Sequence, residues 1–333
     1  MILNPAIITL IAGSVLITAY ALYASLFGLQ IIRHWDIHSG SERQLELERR
    51  THLISTVVTH LFGLALFSAF LFIYTGDHLH RLFVGAMCAA GTLNVNAYGY
   101  PLLLIKMLNI FLCGLWLILN ATDGLGVDYP LIRPKYRFLI VITGLLALET
   151  VLTLNYFGAL KADVITSCCG TLFSTDTQTV AGGLAAMPAY ATSVVLFSGI
   201  AMLLRTGIHF QLKGRGARLF GWLSAGMLVI GIIAVIAVVS VYYYELPTHH
   251  CPFCLLQADY HYVGYPLYLA LFIGGITGAG VGMIDWFRGT PSLRMAVPRL
   301  QKRLCLWSMA GYIVFVIIAA YPMVFSDFKL SGH

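Results

Sequence analysis

The sequence predicts an all-α integral membrane protein with about eight transmembrane helices. Three observations carry this. Of 333 residues, 59% are hydrophobic and only 10% are charged, where a soluble domain carries about 25% charged residues. The mean hydropathy is +0.83. The apolar residues gather into eight continuous runs, each near the ~20 residues a helix needs to cross the hydrocarbon layer. The runs do not alternate polar with apolar positions, which excludes the strands of a membrane barrel. A chain this poor in polar groups cannot cover a globule of its size. That excludes a soluble enzyme, a nucleic-acid binder and a disordered chain.

The runs fall at 6–32, 52–75, 101–121, 137–158, 187–205, 219–244, 265–287 and 303–325. The first has no basic residue ahead of it before Arg33. It lacks the charged start of a cleavable signal and reads as a permanent helix. The stretch 36–50 (DIHSGSERQLELERR) is the most charged in the chain. It reads as a short amphipathic helix at the inner surface, either a topology signal or a docking point. The third and fourth runs each hold an ionisable residue, Lys106 and Glu149. The sixth ends in Tyr242, Tyr243 and Tyr244, the composition of an interfacial belt. Cys113 and Cys305 lie inside runs three and eight, where a thiol serves as a small hydrophobe.

Orientation follows from the basic residues. Sixteen of the twenty Lys and Arg lie at or after the ends of runs one, three, five and seven, and only Arg81, Lys161 and Lys329 lie on the other side. Basic loops stay inside. Both termini are therefore expected outside, in a multi-pass protein of a bacterial inner membrane whose outer face meets the periplasm. The net charge of +6 is this asymmetry, and it does not point to nucleic acid.

A duplication is suggested by two matching loops. One ends Asn96-Ala97-Tyr98-Gly99-Tyr100-Pro101-Leu102, the other His261-Tyr262-Val263-Gly264-Tyr265-Pro266-Leu267. Each has a cysteine upstream, Cys88 or Cys254. The expected organisation is a first four-helix half over 1–160, an outside loop over 161–186 and a second four-helix half over 187–333. Four spans per half would give the two halves the same orientation. Tyr and Pro at a helix mouth are also ordinary interfacial chemistry.

Five of the seven cysteines lie in the outer loops: Cys88, Cys168, Cys169, Cys251 and Cys254. An outer compartment is oxidising, so thiols there form disulfides, exchange them or bind metal. Five is odd, so one thiol is left to remain free, bind a ligand or reach a partner. Cys251-Pro252-Phe253-Cys254 has the spacing of a reducible disulfide or of two thiolates on one metal. His249 and His250 precede it; with His78, His80 and Met87 they add nitrogen and sulfur donors on the same face. Adjacent Cys168 and Cys169 offer two soft donors at one point, suited to Cu, Zn, Hg or an iron–sulfur cluster. No CxxCH stands in the chain, so covalent haem is not indicated.

The Pro-aromatic filling of the CxxC resembles the active-site dipeptide of glutaredoxin-type enzymes over those four residues. The order Cys88, Cys168-Cys169-Gly170, Cys251…Cys254 resembles the CCG iron–sulfur motif of heterodisulfide reductase subunits. Here the gaps are longer and filled by spans, so the cluster is not carried over. A CxxC facing outward on a helix bundle is similar to DsbB and vitamin K epoxide reductase enzymes, which have four or five helices rather than eight. That analogy implies electron passage between periplasmic thiols and a quinone.

Ionisable groups inside a membrane are costly and mark function. Lys106 and Glu149 are placed to form one buried pair, either a lock between helices or the lining of a quinone head-group site. His60 is the single histidine deep in a span. The expected function is thiol–disulfide redox or electron relay: one thiolate of Cys251 and Cys254 attacks, exchange follows with Cys168 or Cys169, and Cys88 is a resolving or substrate-facing thiol. Its partners would be the lipid bilayer, periplasmic thiol or redox proteins, or other membrane subunits. The alternatives are a membrane protein that binds or transports a soft metal, with Cys88, Cys168, Cys169, Cys251, Cys254, His78, His80, His249 and His250 as donors, or a structural subunit of a membrane complex.

Overall fold

In the computed structural model, residues 3–37, 39–161, 164–166 and 180–328 are described. Among them there is no strand. Eight helices are long and apolar enough to cross a membrane. We number these α1 (Pro5–His34), α2 (Glu42–Leu79), α3 (Gly99–Asp123), α4 (Ile132–Gly158), α5 (Ala189–Lys213), α6 (Ala217–Tyr244), α7 (Gly264–Asp285) and α8 (Ala296–Phe325). The chain is a multi-pass membrane protein. Helices are the required solution, because in hydrocarbon every backbone N–H and C=O must find its partner within the segment.

Local chemistry sets the helix ends. Asn4 caps α1 by accepting from the Ala6 N–H at 2.9 Å, with Pro5 in the first turn. Gly214, at φ 66°, ends α5 in the left-handed conformation that glycine adopts without strain. One element differs from the sequence reading. The charged stretch 36–50 is not a separate amphipathic helix: from Glu42 onward it is the opening of α2. A hydropathy run measures only the hydrocarbon crossing, whereas the helix continues into the interface wherever side chains remain helix-compatible. Gln44, Leu47 and Thr51 are the buried positions of that extension.

The chain packs as two compact units. The first comprises residues 1–72, 96–160 and 286–300. In it α1 lies along α4, joined by hydroxyls: Thr18 to Thr150 at 2.7 Å and Ser25 to Thr143 at 2.8 Å. Tyr136 of α4 packs where a side chain on Gly28 would stand. Phe62 of α2 meets Trp116 of α3 edge to face in an apolar core that includes Phe27, Tyr136 and Leu139. Without a hydrophobic drive between helices in lipid, such small, close-packed and hydroxyl-bonded contacts carry association.

The second unit comprises residues 73–95, 161–285 and 301–333. Glycines let its helices touch. A Cβ on Gly221 of α6 would lie 2.7 Å from the Cα of Gly282 of α7. Gly274 of α7 faces the Tyr312 ring of α8, and Ser308 donates to the Gly274 carbonyl at 2.7 Å.

Candidate functional site

The site is built from two loops of the second unit. The first loop holds Cys88. Gly85 turns the chain at φ +88°, where a side chain would collide with the Thr166 carbonyl. Cys88 is extended and caps the short helix Ala89–Leu93, its carbonyl accepting from the Gly91 N–H at 3.1 Å. Thr166 holds this loop twice: its N–H donates to the Val84 carbonyl at 3.0 Å, its hydroxyl to the Gly91 carbonyl at 2.9 Å.

The second loop holds the CxxC. It begins from an irregularity in α6. Val235–Val239 is one turn of π-helix, so the Ser240 N–H bonds Val235 rather than Ile236. The Ile236 carbonyl accepts instead from the Ser240 hydroxyl and from Nδ1 of His250, each at 3.1 Å. Single π-turns of this kind recur at functional sites. His250 is thereby anchored, and with it the backbone of Cys251. The Tyr244 hydroxyl donates to the Cys251 carbonyl at 2.6 Å, and the Tyr268 hydroxyl to the Pro252 carbonyl at 2.9 Å. Gln257 then joins the two loops, donating to Asp77 Oδ1 at 2.9 Å and to the Met87 carbonyl at 3.0 Å.

These clamps bring three sulfurs together. The Sγ atoms of Cys88, Cys251 and Cys254 all lie within 4.8 Å of one another. Cys88 and Cys251 are 3.6 Å apart. Exposure is 0% for Cys88 and Cys251 and 6% for Cys254. Among the described residues no cysteine is in a disulfide. Cys168 and Cys169 lie outside the described residues.

The histidines expected as ligands are placed differently, and none belongs to this group. His250 bonds the α6 backbone. Burial is the main cause that lowers its pKa, so the ring is neutral at pH 7, and Nδ1 carries the proton it donates. His249 meets the Tyr244 ring edge-on at 4.6 Å. His78 packs on Tyr74 at 4.0 Å, and His80 bonds the Asp77 carbonyl.

In the first unit Lys106 and Glu149 form the expected buried pair, at 2.6 Å, with Asn109 donating to the other carboxylate oxygen at 2.6 Å. A second buried pair was not foreseen. Lys135 Nζ lies 2.7 Å from Asp123 Oδ2, and the Leu131 N–H donates to Oδ1 at 2.8 Å. By sequence Lys135 is one of the sixteen basic residues that set orientation. The available signal was an acid and a base at facing ends of α3 and α4 across a short loop. Both line a cavity of about 240 Å³ together with Thr51, Ser55, Thr59 and Asn120.

Comparison of the chain with family models, curated proteins and solved structures gives no match. The function is therefore argued from the site alone.

Proposed function

We propose that the protein is a membrane thiol–disulfide oxidoreductase. It would relay electrons from external thiols to a lipid-soluble quinone, with its thiol site on the periplasmic side of a bacterial inner membrane. The supporting observation is a third thiol 3.6 Å from one sulfur of a CxxC pair. Exchange needs a thiolate within reach of a disulfide sulfur. The quinone accepts two electrons and two protons from Cys251 and Cys254, leaving their disulfide and a quinol. The Cys88 thiolate then attacks Cys251 Sγ; the new sulfur–sulfur bond forms as the old one breaks, and Cys254 leaves as the thiolate. The Cys88–Cys251 disulfide passes the oxidation to an external dithiol, which leaves as a disulfide while both thiols are restored. Cys168 and Cys169 are the chain's own candidates for the carrier between this buried site and a protein substrate.

The test is thiol counting on the detergent-purified protein after exposure to a short-chain quinone without oxygen. Loss of two thiols per chain is expected, with the new disulfide mapped to Cys251–Cys254 in Cys88→Ser. Full retention of all thiols ends the reading.

A further inference from the structure

We propose that the reduced triad of Cys88, Cys251 and Cys254 is a preformed site for one soft d¹⁰ cation of the Cu(I) class. The inference rests on the thiols in their reduced state and not on the relay. Three sulfurs within 4.8 Å of one another enclose a point that a single ion can touch from all three. Thiolate donors select Cu(I) over harder cations. Structural zinc takes four ligands; no imidazole or carboxylate joins the three sulfurs among the described residues. A set of three suits a metal content with fewer ligands.

Preorganisation is the second argument. A metal site requires ligands held in place by their own supports. Here each loop is fixed by contacts that do not use sulfur. Cys251 is held through His250 on Ile236 and through Tyr244 on its own carbonyl. Cys88 is held as a helix cap, and Gln257 ties the two loops together. All three sulfurs are buried, which keeps water out of the ligand shell. Each thiol that binds as thiolate releases its proton to solvent, so affinity rises with pH.

The experiment titrates the reduced full-length protein, in detergent and without oxygen, with Cu(I) buffered by bicinchoninate. The expected result is one Cu(I) per chain, with affinity weakened at least about 100-fold in Cys88→Ser, since even supports behind a metal ligand are worth 10–100-fold. Cys113→Ser and Cys305→Ser should bind as the parent does. Unchanged binding in Cys88→Ser, or no binding by the parent, overturns the proposal. If Cys88→Ser aggregates, X-ray absorption on the parent decides: three sulfur neighbours are expected, and two overturn it. Quinone-driven thiol loss is read separately, so the relay and the metal site stand or fall independently.

Discussion

At the residue scale, spacing revealed half of the site. Cys251 and Cys254 announce themselves as a CxxC. Cys88 does not announce its partner, because 163 residues separate it from Cys251. His250 was legible as a donor but not as what it donates to. A protonatable ring beside two thiols suggests a ligand, yet Nδ1 is spent on the Ile236 carbonyl. This gives a prediction with a definite sign. Burial lowers the folded-state pKa of His250 from the usual 6.5. The unfolded chain therefore takes up the proton first as pH falls, and stability falls with it. The contribution is complete above about pH 6.5 and is lost progressively below it. Thermal unfolding of His250→Asn, which keeps a donor but cannot titrate, is expected to lose less stability between pH 7 and pH 5 than the parent. Equal losses would mean that His250 is not the titrating group. His250→Ala leaves the carbonyl with one donor fewer and is expected to destabilise at every pH, by about 1 kcal/mol.

At the element scale, the eight spans were legible because composition alone separates hydrocarbon-crossing segments from the rest. Their extensions were not, since Glu42 to Arg50 carry charges that only the continuing helix explains. The π-turn at Val235–Val239 was hidden too, because a run of Val, Ile and Ala reads the same in either helix. Deleting Val238 should restore regular α-helix. It would close the break in the backbone ladder that leaves the Ile236 carbonyl to the Ser240 hydroxyl and to His250. The expected outcome is loss of the Tyr244 and His250 clamps together, read as faster maleimide modification of Cys251 in the folded protein; an unchanged rate would show that the bulge does not position the loop. The ion pair between α3 and α4 gives a second test. Removing one partner leaves an uncompensated buried charge, at about 3–5 kcal/mol. Lys106→Met should therefore lower the melting temperature sharply. The double variant Lys106→Met with Glu149→Leu should recover most of the loss, because both desolvation penalties vanish together. Failure of the double variant to recover would make the pair more than a lock between helices.

At the scale of the whole molecule, the distribution of charge predicts which compartment the thiols meet, and the proposed relay depends on that compartment. Sixteen basic residues against three is a large imbalance, and each basic residue favours the cytoplasmic side. Gly216 lies between α5 and α6 in a basic loop, whereas exposed Leu246 lies between α6 and the CxxC. Cysteines introduced one at a time at these positions, in a Cys168→Ser/Cys169→Ser background, report orientation through a membrane-impermeant maleimide. Leu246→Cys is expected to label in intact cells, and Gly216→Cys only after permeabilisation. The reverse pattern would put the CxxC in a reducing compartment, where disulfides are kept open by the thiol pool. The relay would then lose its oxidising partner, while a Cu(I) site would keep the reduced sulfurs it needs. Orientation is thus more than a topological detail, since the proposed exchange needs the oxidising face of the membrane and the proposed metal site needs only reduced sulfurs.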